Sequence, residues 1–384
     1  MLRIGRIVGI AYLGLCVVLF ASLILGGPGF YAPLSSLVAP APEPVTITLA
    51  VSSEKEAWLN DAVARFEASK PTVGRRPIDV ELESAGSLKL IDDILNGRLR
   101  PTAISPASTI ELRLLEAGWQ QRTGGAPLLT GGSFTPQPLV FTPLVLLTWS
   151  DIGAQRWNGD TFTWEDLYAA VTATDQNYLK LGHTRPTSSN SGLAMELLLL
   201  YSYYDYDTSR QLQVSDIQNP AFQRWLTTFE QNVSVLEDSS ETLVRNMVLF
   251  GPSRYEAVIS YENLAVQYAL TGESRWGEIR IYYPPANLYS DHPFAILQGD
   301  WVDADQQEAA RMLRDYLLGS ESQQLALSYG FRPANPEVSI QADDSPFQRL
   351  ARYGLRPSID QLIAEPPVEV VQALRDLWTH TIQR

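Results

Sequence analysis

The sequence predicts an α/β protein with mostly parallel sheets and two core-bearing domains, on three observations. Short runs rich in Val, Ile and Thr alternate with segments of helical periodicity, the pattern of strands joined through helices. The loops leading from strand to helix repeatedly carry serine, and in a parallel sheet such loops gather at the carboxyl ends of the strands. The chain has 384 residues, 45% hydrophobic and 19% charged, a globular composition long enough for two domains. Setting aside the first 44 residues, with Arg3, Arg6 and Glu43, leaves 27 basic against 42 acidic side chains. So acidic a body repels phosphate backbones, which argues against nucleic acid as a partner.

Residues 7–25, "IVGIAYLGLCVVLFASLIL", are 19 consecutive uncharged residues preceded by Arg3 and Arg6. At about 1.5 Å per residue they nearly span a hydrocarbon core of roughly 30 Å. The run is longer than a typical signal-peptide core, and "VAPAP" would leave Pro42 after a cut, a poor cleavage site. Residues 1–25 are therefore expected to form an N-terminal transmembrane helix with the body extracytoplasmic; a cleaved signal is the alternative. The single cysteine, Cys16, lies inside this run, so the exported part has no disulfide or thiolate chemistry. Residues 26–44, rich in Pro, Gly and Ala, read as a linker.

The folded body starts near Val45 with "VTITLAVSS", a strand closed by two serines. "EKEAWLNDAVARFEAS" places Trp58, Leu59, Ala62, Val63 and Phe66 at helical spacing, with Ser53 the expected N-cap and Glu56 three residues on. The unit recurs where "IDVELESAGS" leads into "LKLIDDILNGR", with Ser87 in the turn. It recurs again where "PTAISPAST", with Ser105 and Ser108, leads into "IELRLLEAG". "PLVFTPLVLLTW" reads as a long central strand and "FTWEDLYAAVTA" as an amphipathic helix capped by Thr163. "YLKLGHTRP" is strand and turn, while "GLAMELLLLYSYY" is too apolar for a half-exposed helix and is expected to be buried. "YEAVISYENLAVQYAL" gives strand, polar turn at Tyr261, Glu262 and Asn263, then helix. The prolines of "RIYYPPANLYSDHPFAIL" confine that extended segment to an edge or a crossing between domains. "DQQEAARMLRDYLLG", "ESQQLALSYG" and "EVVQALRDLWTHTI" complete the chain as helices.

The first four backbone N–H groups of a helix lack partners within it and, with the dipole, favour an anion. "SSNSG", residues 188–192, adds hydroxyls and a glycine at such a start. Serine and asparagine also cap helices for purely structural reasons, so capping and ligand binding both remain open for each loop. Catalysis is not expected. The only histidines are His183, His292 and His380, and no Gly-x-Ser-x-Gly elbow surrounds any serine. His183, His292, Asp291 and Glu262 offer no ligand pair at helical or ribbon spacing, so neither metal nor cofactor is expected. His292 in "SDHPF" reads as a structural histidine in a turn.

In order, "SSEKEAWL", "SPAS", "GHTRPTSSNSGL", "YENL", "SDHPFAIL" and "GFRPAN" resemble the extracytoplasmic solute-binding proteins of the type 2 periplasmic-binding fold. The resemblance is to the molybdate/sulfate-like branch, including solute-binding domains associated with von Willebrand factor A modules. It implies two α/β lobes joined by two crossing strands, lobe one at 45–143 plus 284–384 and lobe two at 144–283. A small solute, such as a tetrahedral oxyanion, would sit in the cleft and reach an ABC-type permease. Carried over motif by motif, its contacts would be Ser53, Ser87, Ser105, Ser108, Ser189, Asn190 and Ser191, with Tyr261 and Asn263 closing the cleft. Glu262 beside an oxyanion would need a partner, for which Arg185 or Lys89 is expected. "PPANLY" replaces the Gly-Thr turn before "SDHP", which leaves a ligand contact from that loop open. The segment after Asn335 is expected to pack on lobe one. The alternative function is a membrane-anchored sensor or interaction module working with a von Willebrand factor A or signalling partner.

Overall fold

The computed structural model describes residues 42–157, 161–206 and 211–382. The expected membrane helix lies outside them, and no helix among the described residues is long and apolar enough to cross a membrane. Contacts divide the chain into Met1–Pro44 and Val45–Arg384, and the strands and helices that follow belong to the second unit.

The strands are β1 (Val45–Ser52), β2 (Thr72–Val73), β3 (Arg76–Ala85), β4 (Ala103–Ser105), β5 (Gln137–Pro138), β6 (Val140–Trp149) and β7 (Leu181–Thr184). They continue with β8 (Val235–Glu237), β9 (Ala257–Tyr261), β10 (Ile279–Tyr282), β11 (Tyr289–Ser290), β12 (Pro293–Ile296) and β13 (Arg332–Pro333). One sheet has the order β2-β3-β1-β4-β12-β5, the other β10-β6-β9-β7-β8 with β11 and β13 added to β6. Pairs β1–β3, β1–β4, β7–β8 and β7–β9 are parallel. The sheets are nevertheless more mixed than strand–helix alternation predicts, because β6 and β12 run antiparallel to their neighbours. Both belong to stretches that pass between lobes, and a returning chain enters the sheet from the opposite end.

The main helices are α1 (Glu56–Ala68), α2 (Ser87–Leu95), α3 (Thr109–Thr123), α4 (Trp164–Thr172), α5 (Asn190–Tyr203) and α6 (Pro220–Asn232). After these come α7 (Ser240–Phe250), α8 (Glu262–Trp276), α9 (Ala304–Leu318), α10 (Ser320–Ser328) and α11 (Val368–Leu377). Helix α1 buries the five residues expected from its spacing, against β1, β12, α9 and Phe331. Thr163 caps α4 by accepting from the Asp166 N–H. The residues of α5 from Asn190 to Ser202 are all buried, as its all-round apolarity requires.

Strand β6 shows how the second lobe is layered. Leu144 and Leu146 face one core with α5, whereas Val145, Leu147 and Trp149 face another with α7 and α8. Both faces of the sheet are covered, so the strand reads as a continuous apolar run.

The segment after Asn335 does not stay on lobe one. Phe347, Leu350, Tyr353 and Leu355 share the core of Val145, Leu147, Trp149, Ile279 and Ile281, because that face of β6 and β10 would otherwise be open to water. Further on, α11 reaches both α3 and α5.

Glu262, the first residue of α8, takes Arg332 as its partner rather than Arg185 or Lys89. The guanidinium donates two bonds to the carboxylate at 2.7 and 2.8 Å and two more to the carbonyls of Arg356 and Pro357 at 2.7 and 2.8 Å. Arg185 instead meets Asp238 at 2.9 Å and Lys89 meets Asp93 at 2.5 Å. Arg332→Ala strands the buried Glu262 carboxylate and is expected to cost about 3–5 kcal/mol. The double replacement Arg332→Met with Glu262→Met should stay nearer wild type, and urea unfolding midpoints of the variants check both.

Candidate functional site

Strand β1 ends at Ser52, and Ser53–Lys55 form a 3₁₀ turn before α1. That turn moves the helix start beyond Ser53, so Ser53 caps nothing; its buried hydroxyl has no partner among the described residues. The Ser105 hydroxyl, at the end of β4, is in the same position. Ser87 opens α2 and accepts from the Ala107 N–H at 3.0 Å. Ser108 is the structural cap: it accepts from the Ile110 N–H at 3.1 Å, Glu111 reciprocates, and its own hydroxyl donates to Glu365 at 2.9 Å.

In lobe two, Ser189 stands at the N-cap of α5 without capping it. Its hydroxyl lies 3.2 Å from that of Ser240, which also meets Ser191 at 2.8 Å, and Ser191 meets Thr184 at 2.7 Å. Asn190 donates to the Tyr261 hydroxyl at 2.9 Å and to Ser290 at 3.2 Å, leaving its Oδ1 without a partner. Asn263 reaches across to the Glu54 carbonyl at 3.2 Å. The nine residues expected from sequence are thus all buried, but they do not form one hydrogen-bonded set. Asn190 ties Tyr261 to Ser290 and Asn263 reaches Glu54 across the lobe boundary, Ser53 and Ser105 keep hydroxyls without a partner among the described residues, Ser87 holds Ala107, Ser189 and Ser191 are held by Ser240 and Thr184, and Ser108 is drawn to the C-terminal segment.

Beside Asn263 lies a cluster that the sequence reading missed: Glu54, Lys55 and His292, only 3%, 0% and 0% exposed. Lys55 Nζ donates to the Pro106 carbonyl at 3.1 Å, lies 3.0 Å from His292 Nδ1, and meets the Ser52 hydroxyl. Glu54 lies 3.6 Å from Lys55 and 3.3 Å from His292 Nδ1, and accepts from Ser52. The "SDHP" loop, whose contact the sequence left open, supplies both Ser290 and His292. The only signal for the cluster was Glu-Lys directly after "SS", which reads equally well as a solvated helix start.

Burial alone would raise the Glu54 carboxyl, but the Lys55 ammonium beside it, with the Ser52 hydroxyl, brings it down to about 2. Burial pushes Lys55 down to about 8 against the pull of Glu54, and burial with Lys55 nearby lowers His292 to about 4. Both acid-side shifts act in one direction. The unfolded state takes a proton on histidine near 6.5 that folded His292 refuses until about 4, and one on glutamate near 4.5 that folded Glu54 refuses until about 2. Stability is therefore expected to fall from pH 6.5 down to 2 in two successive limbs, each no steeper than about 1.4 kcal/mol per pH unit. His292→Gln should remove the upper limb and keep the lower, read from urea midpoints across pH.

The lobes also touch through backbone. The Lys89 N–H donates to the Ser188 carbonyl at 3.2 Å, and a Cβ on Gly86 would collide with that carbonyl and come within 2.8 Å of the Asp238 oxygen. Gly86→Ala is expected to hold the lobes apart, raising the radius of gyration in solution scattering without loss of helical signal. An unchanged radius would show that this approach does not govern closure.

The C-terminal segment straps the boundary from outside. Glu365 holds Ser108 and lies 3.3 Å from Arg113 of α3, and Arg375 lies 3.5 Å from Asp92 of α2. On the lobe-two side, the Ala364 carbonyl accepts from Tyr201 at 3.0 Å and Trp378 Nε1 donates to Glu230 at 3.3 Å. No group of three or more His, Cys, Asp or Glu side chains suited to a metal occurs among the described residues.

A family model described as bacterial extracellular solute-binding protein matches residues 47–332. No curated protein matches the chain. Among solved structures, a periplasmic thiamin binding protein aligns at 12% identity with a TM-score of 0.62, covering 90% of this chain and 100% of that one. The protein AfuA from Actinobacillus pleuropneumoniae, with fructose-6-phosphate bound, aligns at 14% identity with a TM-score of 0.60, covering 88% and 98%. The sulfate-binding protein SubI from Mycobacterium tuberculosis H37Rv aligns at 16% identity with a TM-score of 0.56, covering 87% and 97%. At these identities the likeness is one of fold: two α/β lobes with a boundary between them.

Proposed function

The chain belongs to the bacterial extracellular solute-binding protein family, and from that premise we propose that it holds a small solute between its lobes and delivers it to an ABC-type permease. It performs no chemistry on the solute. The body works outside the cytoplasm, tethered by residues 1–25. One observation carries the reading: at the lobe boundary, polar atoms from both lobes, Ser53 Oγ, Ser105 Oγ, Asn190 Oδ1 and His292 Nε2, are buried without partners among the described residues, while Glu54 and Lys55 beside them pair with each other. Buried polar atoms are almost always hydrogen-bonded, and four unpartnered ones at one boundary fit a ligand that supplies the missing bonds.

A tetrahedral oxyanion is the first class to test, since hydroxyls and helix-start amides are neutral donors able to surround one. Each such bond contributes about 1 kcal/mol net, so affinity depends on their number and on exclusion of water. Thermal unfolding against molybdate, tungstate, sulfate, phosphate, and a panel of neutral and amino-acid solutes reads binding directly. A solute at 100 times its Kd stabilises by roughly 2.7 kcal/mol, a rise of a few degrees in Tm. Ser53→Ala with Ser105→Ala is expected to leave the unliganded Tm unchanged and to weaken binding roughly thirtyfold, the equivalent of two neutral hydrogen bonds. Ser189→Ala with Ser191→Ala should lower the unliganded Tm as well, because those hydroxyls are bound to Ser240 and Thr184. No Tm shift with any solute would remove the uptake reading.

A second reading, the same fold reporting its open or closed state to a von Willebrand factor A or signalling partner, draws on the C-terminal strap, which contacts both lobes. It gains if deleting residues 358–384 leaves solute affinity intact and abolishes capture of a surface partner.

A further inference from the structure

We propose that His292 touches the solute, donating a hydrogen bond from Nε2 to an acceptor oxygen, so that the site takes an oxygen-bearing anion or carbonyl compound rather than a cation. The inference rests on the solute-binding reading above. Its starting point is the side chain at Nδ1. Lys55 Nζ lies 3.0 Å from that nitrogen, and an ammonium has only protons to offer. Nδ1 must then be the acceptor, and in a neutral imidazole the remaining proton sits on Nε2. Glu54, 3.3 Å from the same nitrogen, would favour a proton on Nδ1, but that proton would be pressed against the closer ammonium.

Lys55 is fixed independently of the histidine, through the Pro106 carbonyl and Ser52. The other acid beside the ring, Asp291, is turned away and bound to Thr109 by two hydrogen bonds of 2.7 and 2.6 Å. From β9 the neighbouring group is Tyr261, ring to ring at 6.0 Å, and on the other side stands Phe331 at 5.3 Å. Neither of those rings gives Nε2 an acceptor; the atom is buried with no partner among the described residues.

The backbone supports the same conclusion. His292 has φ +41°, a left-handed conformation that costs a non-glycine residue energy. It is held there because its N–H donates to the Ala107 carbonyl at 3.0 Å and its carbonyl accepts from the Leu139 N–H at 3.2 Å. These bonds hold the backbone that carries the ring in place, and the Lys55 contact sets the ring with Nδ1 toward the ammonium and Nε2 on the far side. Tyr261, beside that ring, is bonded to Asn190, whose Oδ1 is another of the unpartnered atoms. A donor of this kind gives a fully deprotonated oxyanion, a carboxylate or a carbonyl what it needs. An ammonium or a metal ion would instead face an N–H, which repels it.

The test uses the full chain labelled with ¹⁵N-histidine, where three histidines keep the spectrum simple and His292→Gln assigns the resonance. Long-range ¹H–¹⁵N correlation should show a neutral ring protonated on Nε2 at pH 6, with Nε2 the nucleus that responds when molybdate, sulfate, phosphate or a carboxylate solute is added. His292→Leu should weaken binding of the responding solute about tenfold or more, and His292→Gln, which keeps a donor near Nε2, should recover most of the loss. A proton on Nδ1, a charged ring at pH 6, or an Nε2 resonance indifferent to every solute overturns the inference. If the resonance is indifferent while Tm still rises with a solute, only His292 is removed and the solute-binding reading stands. If neither responds, both fall.

Discussion

Every residue of β6 from Val140 to Trp149 is paired to another strand: the first four to β13 and β11, the rest to β9 or β10. Leu139 and Val140 lie in the core of lobe one, whereas Leu144 to Leu147 and Trp149 pack in the clusters that hold α5, α7 and α8 of lobe two. One uninterrupted strand thus belongs to both lobes, and its pairing cannot be broken without exposing a row of backbone donors and acceptors. Freedom between the lobes must come from twisting about this strand and its returning neighbours. The chain that returns, from Tyr283 to Pro293, is also the one that carries Ser290 and His292 to the boundary.

The boundary treats charge and neutral polarity differently. Glu54 is set against Lys55, and Glu262 against Arg332, because a single buried charge is far costlier than a buried hydroxyl or amide. Closure of the lobes therefore requires no countercharge from a solute. What is left for a solute is a set of neutral groups with defined donor or acceptor character, which recognise by hydrogen-bond pattern. Gly86 fits this arrangement, since only a residue without Cβ lets the start of α2 meet Ser188 and Asp238 of the other lobe.

Much of this was legible in the chain. Helical spacing placed Trp58, Leu59, Ala62, Val63 and Phe66 on one buried face, and the run of leucines in α5 required a helix covered on all sides. Local chemistry was also readable where it is self-contained: Thr163 and Ser108 cap their helices using atoms within three residues. Ser53 shows the limit. The same capping pattern is present in sequence, yet the tertiary fold inserts a 3₁₀ turn and leaves the hydroxyl free for another use.

By itself, the sequence determined the α/β class, the burial of its periodic segments and the polar character of its strand-to-helix turns, because each depends on residues near one another in the chain. Only the tertiary structure decided which partners the charged groups took, which serines kept an unpartnered hydroxyl, and how the C-terminal segment spans both lobes. Glu54 and Lys55 meet His292 across more than two hundred residues, and Glu262 meets Arg332 across seventy. Desolvation selects such partners after the chain has closed on itself, and no local pattern encodes that choice.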